Sequence, residues 1–411
     1  MTPSAASSTS FPPMPLLSIT SPMTIEKCKN LALFSTDIFI CSYPKSGTTW
    51  TQHVILTLLL ADVRHRRKQS DPNNDDDHDD DGIDCYEHVS EYAPFFEIDA
   101  HWDESEESNN DDSLLVDTII DKHDKLGRRV FNTHLRWDML PKNKAMEKLP
   151  SITTAAATMT TSDERHSNKQ HYSTSTTMPS CGKFIYIARN LPDVCASFYH
   201  HLSNQKEGTY NHDFGTFARD WMAGIMPFGS PIHHLLSFAE GFSDNQYCDN
   251  DADNTTIPPR QKGRPLLLLS YERMKTNMLG EVLRIIDFLN LDAIPIETLN
   301  TEILPTFTFH YMKERSTMFQ PKSVTWLNDF QFLRRGIVGD GKSLMMETPA
   351  VPNDNNNNDH DDDNCVGGKD MSLLTMFQDW LNDEEYLLRI TNYGLDLDTA
   401  ERFLAVGGFE G

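Results

Sequence analysis

The sequence predicts a single α/β domain whose central, mainly parallel sheet is flanked by helices and carries a P-loop-like loop after its first strand. Short apolar runs alternate with helical patterns along the chain, without an internal repeat. Continuous apolar runs are typical of parallel strands covered on both faces, and alternation of strand and helix favours one parallel sheet. The predicted strands are 37–42, 128–133, 183–189 and 265–270.

Helical patterns follow three of these predicted strands. One follows Pro192, another is "GEVLRIIDFLNL" after Tyr271, and the longest follows Gly47, with apolar residues at Trp50, Val54, Ile55, Leu58 and Leu59. In parallel sheets of this kind, ligands bind beyond the carboxyl ends of the strands. The segments that directly follow the strands are therefore the candidate functional segments.

The acidity of the chain is concentrated in four tracts. The chain has 411 residues and a formal net charge of −25. Residues 71–81, 103–112, 244–253 and 354–363 together hold 22 carboxylates and no Lys or Arg. The rest of the chain is therefore nearly balanced in charge. The acidic tracts would repel phosphate backbones, which argues against nucleic acid as a partner.

Low-complexity segments interrupt the predicted domain, because stretches rich in Asp, Asn, Ser and Thr cannot bury enough apolar surface to offset their ordering entropy. The Asp-rich stretch after Asp71 lacks the glycine turn and spaced ligands of a calcium loop, so we predict a solvated loop and no metal site. We expect a disordered tail over 1–30, one domain over 31–398, a C-terminal tail over 399–411, and insertions near 66–85, 103–113, 150–180, 243–262 and 343–370.

Cysteine usage and hydropathy predict a cytoplasmic protein. The seven cysteines contain no CxxC pair, which favours neither a zinc ribbon nor a disulfide framework, and a reducing compartment is the simpler interpretation. The chain has no run of eighteen apolar residues, so we expect no membrane partner. The first twenty-four residues lack any charge, unlike a secretory signal, although a targeting role for them stays open.

The segment "YPKSGTTW" (43–50) has the composition of a phosphate cradle. Pro44 ends the first strand, and Gly47 permits a tight turn that brings backbone close to a ligand. N–H groups at a helix N-terminus attract anions, and Lys45 adds a cation. The lysine precedes the glycine, unlike the Walker A order, in which it follows the last glycine. The alternative is an ordinary strand–turn–helix with a capping hydroxyl.

At these eight residues the chain resembles the soluble, cytosolic-type sulfotransferases, which use 3′-phosphoadenylyl sulfate (PAPS). Their 5′-phosphosulfate loop has the same eight letters. The resemblance implies that Lys45 contacts the leaving phosphate and the transferring sulfuryl group, with both catalytic and binding roles. Trp50 is implied to lie near the adenine, and the remaining cradle residues are Ser46, Gly47, Thr48 and Thr49.

Two further segments resemble the family's 3′-phosphate sites. In "YIARNLPDVCASFYHH", Arg189 and Ser197 fall on phosphate-binding positions, and His201 stands where the family usually has Phe. Arginine suits this role because its planar fork matches phosphate. In "FLRRGIVGDGK", the family's cations and hinge match Arg334, Arg335 and Gly336, whereas Gly341 stands in place of a tryptophan.

The segment "VFNTHLRWDMLP" resembles the family's catalytic-histidine segment and implies that His134 is the general base. Without that context, a lone histidine is more often structural than catalytic. The lysine usual two residues earlier is Asn132 here, and Arg136 is a candidate substitute, although a regular strand would point it elsewhere.

Weaker matches complete the implied site. "LLLLSYERMK" and "TFTFHYMKERS" imply adenine contacts from Tyr271, Thr308, Phe309 and Met312, although such apolar residues are individually better explained as core. "YAPFFE" (92–97) implies an acceptor pocket lined by Phe95 and Phe96.

The resemblance therefore predicts transfer of the sulfuryl group of PAPS to a hydroxyl or amine of a small, largely apolar acceptor. A nucleotide-binding relative with impaired catalysis, suggested by Asn132 and Gly341, is the main alternative, and a nucleotide kinase is another. The acceptor's identity stays open. The oligomeric state also stays open, because the family's dimer segment is not recognisable after Lys342.

Overall fold

Four parallel strands form the centre of the molecule. The computed structural model describes residues 11–70, 86–102, 115–141, 182–243, 266–322, 324–350 and 371–407. Within them the sheet order is β2-β1-β3-β4, with every pairing parallel. The predicted α/β class is confirmed, and each predicted strand is present with its ends shifted by no more than two residues. The strands are β1 (Ile38–Cys41), β2 (Val130–Thr133), β3 (Lys183–Ala188) and β4 (Leu266–Ser270).

Helices cover both faces of this sheet. α2 follows β1 and begins at Thr48, directly after the loop 43–47. α4 follows β3, with Pro192 in its first turn and Asn190 as its N-cap, which is a favoured helix start. The helices are α1 (Pro22–Asn30), α2 (Thr48–Ser70), α3 (Asp117–Leu126), α4 (Leu191–Ser203), α5 (Phe214–Met222), α6 (Pro231–Ser243), α7 (Tyr271–Thr276), α8 (Met278–Leu289), α9 (Ile296–Thr298), α10 (Phe309–Glu314), α11 (Asp340–Glu347), α12 (Leu373–Asp383), α13 (Tyr386–Asn392) and α14 (Leu397–Val406).

The strand residues alternate between two cores, one on each face of the sheet. Phe39 and Cys41 face the core that contains α1, α4, α5, α6 and α12 to α14. Ile38 and Ile40 face the second core, which contains α2 and α8. Because both faces are covered, β1 reads as a continuous apolar run in the sequence. In the described ranges, no helix is long and apolar enough to span a bilayer.

Helices extend into the two segments that were expected to be a disordered tail (1–30) and a C-terminal tail (399–411). Residues 22–30 form α1, which Ser21 caps and which buries Ile25 and Cys28 in the core. At the other end α14 buries Phe403. α1 carries few apolar residues (Met23, Ile25 and Cys28), which explains why its pattern did not predict a helix.

Several insertion boundaries also shift. α2 continues to Ser70, inside the expected insertion 66–85, and α11 continues to Glu347, inside the expected insertion 343–370. Ser243, at the start of the expected insertion 243–262, is the last residue of α6. The expected insertions near 103–113 and 150–180 lie outside the described residues.

A buried ion pair fixes α14 to α8. Both guanidinium Nη atoms of Arg402 donate to the Glu281 carboxylate, at 2.9 and 3.0 Å, and both side chains are only 3% exposed. Arg284 also donates to Glu281 Oε2 (2.9 Å) but is one-third exposed, so removing Arg402 leaves the buried carboxylate with a single, partly solvated partner.

We predict that Arg402→Met lowers the free energy of unfolding by about 3 kcal/mol, because the Glu281 carboxylate loses a bidentate partner inside the protein. Chemical denaturation measures this change. The matched control is Lys29→Met, which removes an ion pair with Glu26 at the surface and should cost less than about 1 kcal/mol. Equal losses in the two variants would show that the α14 pair is not structurally important.

Candidate functional site

The loop 43–47 turns the chain from β1 into α2 through two left-handed residues. Lys45 has φ 69° and Gly47 has φ 109°. A Cβ atom on Gly47 would lie 2.9 Å from Cδ2 of Tyr271, so the backbone approaches this ring more closely than any side chain permits. The turn leaves the first N–H groups of α2 at the carboxyl edge of the sheet, where they can attract an anion.

The hydroxyls of this loop lie in its buried part. Ser46 is 3% exposed, and Thr49 is half-buried at the start of α2. Thr48 Oγ1 lies 2.5 Å from Oγ of Ser42, the last residue before the turn. Ser42 was not predicted, although it belongs to the same polar cluster.

Arg189 joins three segments at the end of β3. Its Nη1 donates to the carbonyl of Lys45 (3.2 Å), and its Nη2 donates to the carbonyl of Ile337 (3.4 Å). Its guanidinium carbon lies 4.4 Å from the centroid of the Tyr271 ring. The Nε–H of Arg189 is buried and has no partner among the described residues. A buried donor left unpaired at a cationic edge fits an anionic ligand oxygen, which would satisfy it.

The segment 332–341, here called the basic loop, is attached to α4 through Asp193. The backbone N–H groups of Gly339 and Gly341 donate to the Asp193 carboxylate, at 2.8 and 2.7 Å. Arg334 and Arg335 both pair with Asp340 inside this loop. The two cations assigned to a phosphate therefore share one carboxylate, in the loop whose Ile337 carbonyl accepts a hydrogen bond from Arg189.

Gly341 is required by the close contact between α11 and α4. A Cβ atom there would lie 2.0 Å from the carbonyl oxygen of Pro192. The replacement of the family's tryptophan by glycine therefore accompanies a direct backbone contact, and a larger side chain would not fit this arrangement.

Aromatic rings line the other side of the loop 43–47. Trp50 contacts Tyr271 edge-on, with ring centroids 5.3 Å apart, and its Nε1–H donates to the carbonyl of Phe307 (2.8 Å). A Cβ atom on Gly336 would lie 2.5 Å from the Phe309 ring, so the basic loop rests on this ring. The geometry thus brings together Trp50, Tyr271, Phe309 and Gly336, four predicted site residues.

The remaining predicted adenine contacts have structural roles as well. Thr308 caps α10, its Oγ1 accepting from the N–H of Tyr311 (3.3 Å), and Met312 is buried in the core at 3% exposure. Ser197 is half-buried on α4, two turns beyond Arg189.

His134 directly follows β2 and is oriented by the strand next to it. Its Nδ1–H donates to the carbonyl of Ser42 (2.8 Å), which leaves Nε2 as the acceptor. Burial and the charge of Lys45 lower the pKa of His134 to about 4. The imidazole is therefore neutral at physiological pH, with an unprotonated nitrogen available to accept a proton.

Two aromatic rings flank His134. The centroids of Phe95 and Phe228 each lie 5.2 Å from that of His134. Phe96, which was predicted to line the same pocket, is buried in the core instead, 5.1 Å from Phe39 by ring centroids. Phe95 pairs with Asn132 and the chain turns at Phe96, which directs the Phe96 ring into the core, so the assignment of Phe96 to the acceptor pocket is wrong.

Glu97 holds the backbone of His134 through a hydrogen bond. Its Oε1 accepts the backbone N–H of His134 (2.7 Å), and its side chain is fully buried. Burial raises the pKa of this carboxyl group to about 7, against the opposite effect of the His134 N–H. Glu97 was not predicted as a site residue, since nothing in the segment 92–97 indicates a contact with His134.

Asn132 and Arg136 both point away from a possible sulfuryl site. The Asn132 amide donates to the carbonyl of Ala93 (2.6 Å) and fixes the segment that carries Phe95. Arg136 pairs with Asp138 and donates to the carbonyl of Pro12 (2.7 Å). The suggestion that Arg136 substitutes for the missing lysine is therefore wrong.

Lys45 also has a neighbour that no role was predicted for. Its Nζ lies 3.2 Å from Nδ1 of His201 and 4.1 Å from the centroid of Phe332. Burial and the charge of Arg189 lower the pKa of Lys45 to about 7. No cluster of three or more potential metal-ligating side chains occurs among the residues described.

Lys45, the partly buried Arg189 and the oriented His134 thus lie at the carboxyl edge of one parallel sheet, where cationic groups can attract an anionic ligand. The sulfotransferase domain family model matches residues 35–248 and 255–351. The chain belongs to the sulfotransferase family.

Curated relatives match most of the chain at modest identity. Sulfotransferase 1E1 of Rattus norvegicus is 25% identical over 310 residues, which cover 75% of this chain and 77% of the relative. Luciferin sulfotransferase of Photinus pyralis is 24% identical over 304 residues, covering 73% of this chain and 62% of the relative.

Among solved structures, that of mouse sulfotransferase SULT7A1 complexed with PAP matches with a TM-score of 0.46 and 18% identity, covering 95% of this chain and 96% of that one. Retinol dehydratase in a complex with retinol and PAP matches with a TM-score of 0.45 and 16% identity, covering 79% and 82%.

Proposed function

We propose that this sulfotransferase uses PAPS and moves its sulfuryl group to a hydroxyl or amine of a small, largely apolar acceptor. The observation that carries the proposal is the junction of Arg189 with the loop 43–47, through the 3.2 Å hydrogen bond to the Lys45 carbonyl. This bond ties the predicted 3′-phosphate site to the predicted phosphosulfate loop, so one nucleotide can reach both.

The residues present fit such a nucleotide. The unpaired Nε–H of Arg189 provides a buried donor at the 3′-phosphate end, and the N-terminus of α2 provides N–H groups at the phosphosulfate end. We assign the phosphosulfate to Lys45, Ser46, Gly47, Thr48 and Thr49. We assign the 3′-phosphate to Arg189, Ser197, Arg334, Arg335 and Gly336, and the adenine to Trp50, Tyr271, Thr308, Phe309 and Met312.

In the proposed mechanism His134 is the general base and Lys45 the electrostatic catalyst. When bound, PAPS supplies the sulfuryl group, which passes to the acceptor atom as its bond to phosphate breaks. Nε2 of His134 accepts the acceptor's proton, because Nδ1–H is committed to the Ser42 carbonyl. The Lys45 ammonium stabilises negative charge on the departing phosphate.

The acceptor is proposed to lie between the Phe95 and Phe228 rings. Both rings contact the His134 ring, so an apolar acceptor held there has its nucleophilic atom beside Nε2. Such a pocket favours aromatic or alicyclic acceptors through burial of their apolar surface.

A nucleotide-binding relative with impaired catalysis is the second candidate. It is favoured by Asn132 and Arg136, whose side chains bind Ala93 and Asp138 and leave the sulfuryl site without the lysine that the family usually has at position 132.

A cytoplasmic location stays a prediction of the sequence.

We predict that His134→Ala lowers the turnover number by about a hundredfold or more, because the acceptor keeps its proton in the transition state. Radiolabelled sulfuryl transfer from PAPS to a panel of phenols, alcohols, steroids and amines measures this loss. Calorimetric affinity for adenosine 3′,5′-bisphosphate should stay unchanged, since His134 contacts the acceptor side.

The control for this experiment is His212→Ala, which changes an exposed histidine outside the site. Full activity in His134→Ala would remove His134 from the mechanism. Nucleotide binding by the wild-type protein without transfer to any acceptor would favour the catalytically impaired relative.

We predict a bell-shaped pH dependence of kcat/KM. Activity should rise as pH passes about 4, where His134 loses its proton and becomes a base, and fall as pH passes about 7, where free Lys45 loses its charge. The bound nucleotide's negative charge favours protonated Lys45, so the alkaline limb of kcat should lie at higher pH than that of kcat/KM. An alkaline limb of kcat/KM near 10, the ordinary range for lysine, would contradict the assignment to Lys45.

A further inference from the structure

We propose that His201 is a positioning residue for Lys45: its neutral imidazole accepts a hydrogen bond from the Lys45 ammonium and favours the charged form of this lysine before nucleotide binds. This inference rests on the role proposed above for Lys45. It assigns a function to a position where the chain departs from the family pattern.

The contact is direct and defines the tautomer of His201. Lys45 Nζ lies 3.2 Å from Nδ1 of His201. A protonated lysine has only donors, so Nδ1 must accept and the imidazole proton must be on Nε2. Burial, and then the charge of Lys45, hold the pKa of His201 far below its usual range. His201 therefore remains a neutral acceptor across the working pH range.

His201 is held in place by the end of α4 and the segment 325–332. Its ring contacts Trp326, with centroids 5.1 Å apart, and Phe332, with centroids 6.1 Å apart. The N–H of Lys206 donates to the carbonyl of Thr325 (2.8 Å), and the N–H of Leu327 donates to the carbonyl of Asn204 (2.8 Å). These bonds attach the segment to the residues just beyond α4, so the imidazole has little freedom to turn away.

The other groups around Lys45 favour its uncharged amine, and the His201 acceptor opposes their effect. The groups that face its ammonium are the Arg189 guanidinium at the end of β3, the imidazoles of His134 and His201, and the Phe332 ring. Arg189 and burial both favour the uncharged amine. A hydrogen bond to the charged form opposes them, and the Nδ1 lone pair of His201 supplies it.

The consequence for the reaction follows from the state of Lys45 in the empty enzyme. A neutral Lys45 amine would bind the anionic nucleotide weakly. An ammonium at the N-terminus of α2 can exchange its hydrogen bond to His201 Nδ1 for one to a ligand oxygen. His201 thus acts on nucleotide capture, through Lys45, without itself contacting the reacting atoms.

The test compares His201→Phe, the residue usual in the family, with His201→Gln, whose amide oxygen can still accept. In the ligand-free protein, the rate at which an amine-selective acylating reagent modifies Lys45 is followed by mass spectrometry as a function of pH. The midpoint gives the pKa of Lys45 without any need for nucleotide or activity. His212→Phe, at an exposed histidine, is the matched control.

We expect the wild-type midpoint near 7. His201→Phe should lower it by about one pH unit, so that Lys45 is modified about tenfold faster below the midpoint. His201→Gln should stay closer to the wild-type protein, and His212→Phe should match it. In calorimetry, affinity for adenosine 3′,5′-bisphosphate should begin to fall at lower pH in His201→Phe, and that shift should vanish when Lys45→Met is added.

An unchanged or raised midpoint in His201→Phe would overturn the inference, as would equal midpoints in His201→Phe and His201→Gln. Failure of adenosine 3′,5′-bisphosphate to bind the wild-type protein would instead contradict the proposed function. The two failures are distinguishable because the acylation midpoint is measured without nucleotide.

Discussion

The site depends most on the position of one guanidinium group. Arg189 extends from the end of β3, and its hydrogen bonds to the carbonyls of Lys45 and Ile337 hold the loop 43–47 and the basic loop against each other. The parallel register brings this about, since Cys41 of β1 lies beside Tyr186 of β3 and beside Thr133 of β2. Lys45, His134 and Arg189 follow these three neighbouring strands and therefore lie at the same carboxyl edge of the sheet.

Close backbone contacts maintain this arrangement where the chain departs from the family pattern. Gly341 allows α11 to lie against the carbonyl of Pro192, and Asp193 accepts both N–H groups of the basic loop. At the position where the family has a tryptophan, Gly341 thus lets α11 and α4 pack directly against each other without a gap. Asn132 differs from Gly341, because its amide donates to the carbonyl of Ala93 in the segment that carries Phe95 and does not replace the positive charge of the family's lysine.

The sequence was sufficient to predict the strands, because buried parallel strands appear as continuous apolar runs. It was also sufficient to single out the segment 43–50 after the first strand, because its composition is specific. It was not sufficient for contacts between distant segments. Nothing in the periodicity places His201 beside Lys45 or Glu97 beneath His134, since these pairs meet only when α4 and residues 95–97 pack on the sheet. α14 was missed although Asp396 and Thr399 form a capping pair at its start, because the sequence does not show that its residues Thr399, Arg402, Phe403 and Val406 pack against the core.

The central claim is that one nucleotide is held at both ends, by Lys45 and by Arg189. Its most direct test is calorimetry with adenosine 3′,5′-bisphosphate and with adenosine 5′-phosphate, which lacks the 3′-phosphate, on the wild-type protein, Arg189→Met and Lys45→Met. The wild-type protein should prefer the bisphosphate by at least about tenfold, Arg189→Met should reduce this preference severalfold because Arg334 and Arg335 remain, and Lys45→Met should weaken both ligands while preserving it. A preference that survives Arg189→Met unchanged would contradict the account.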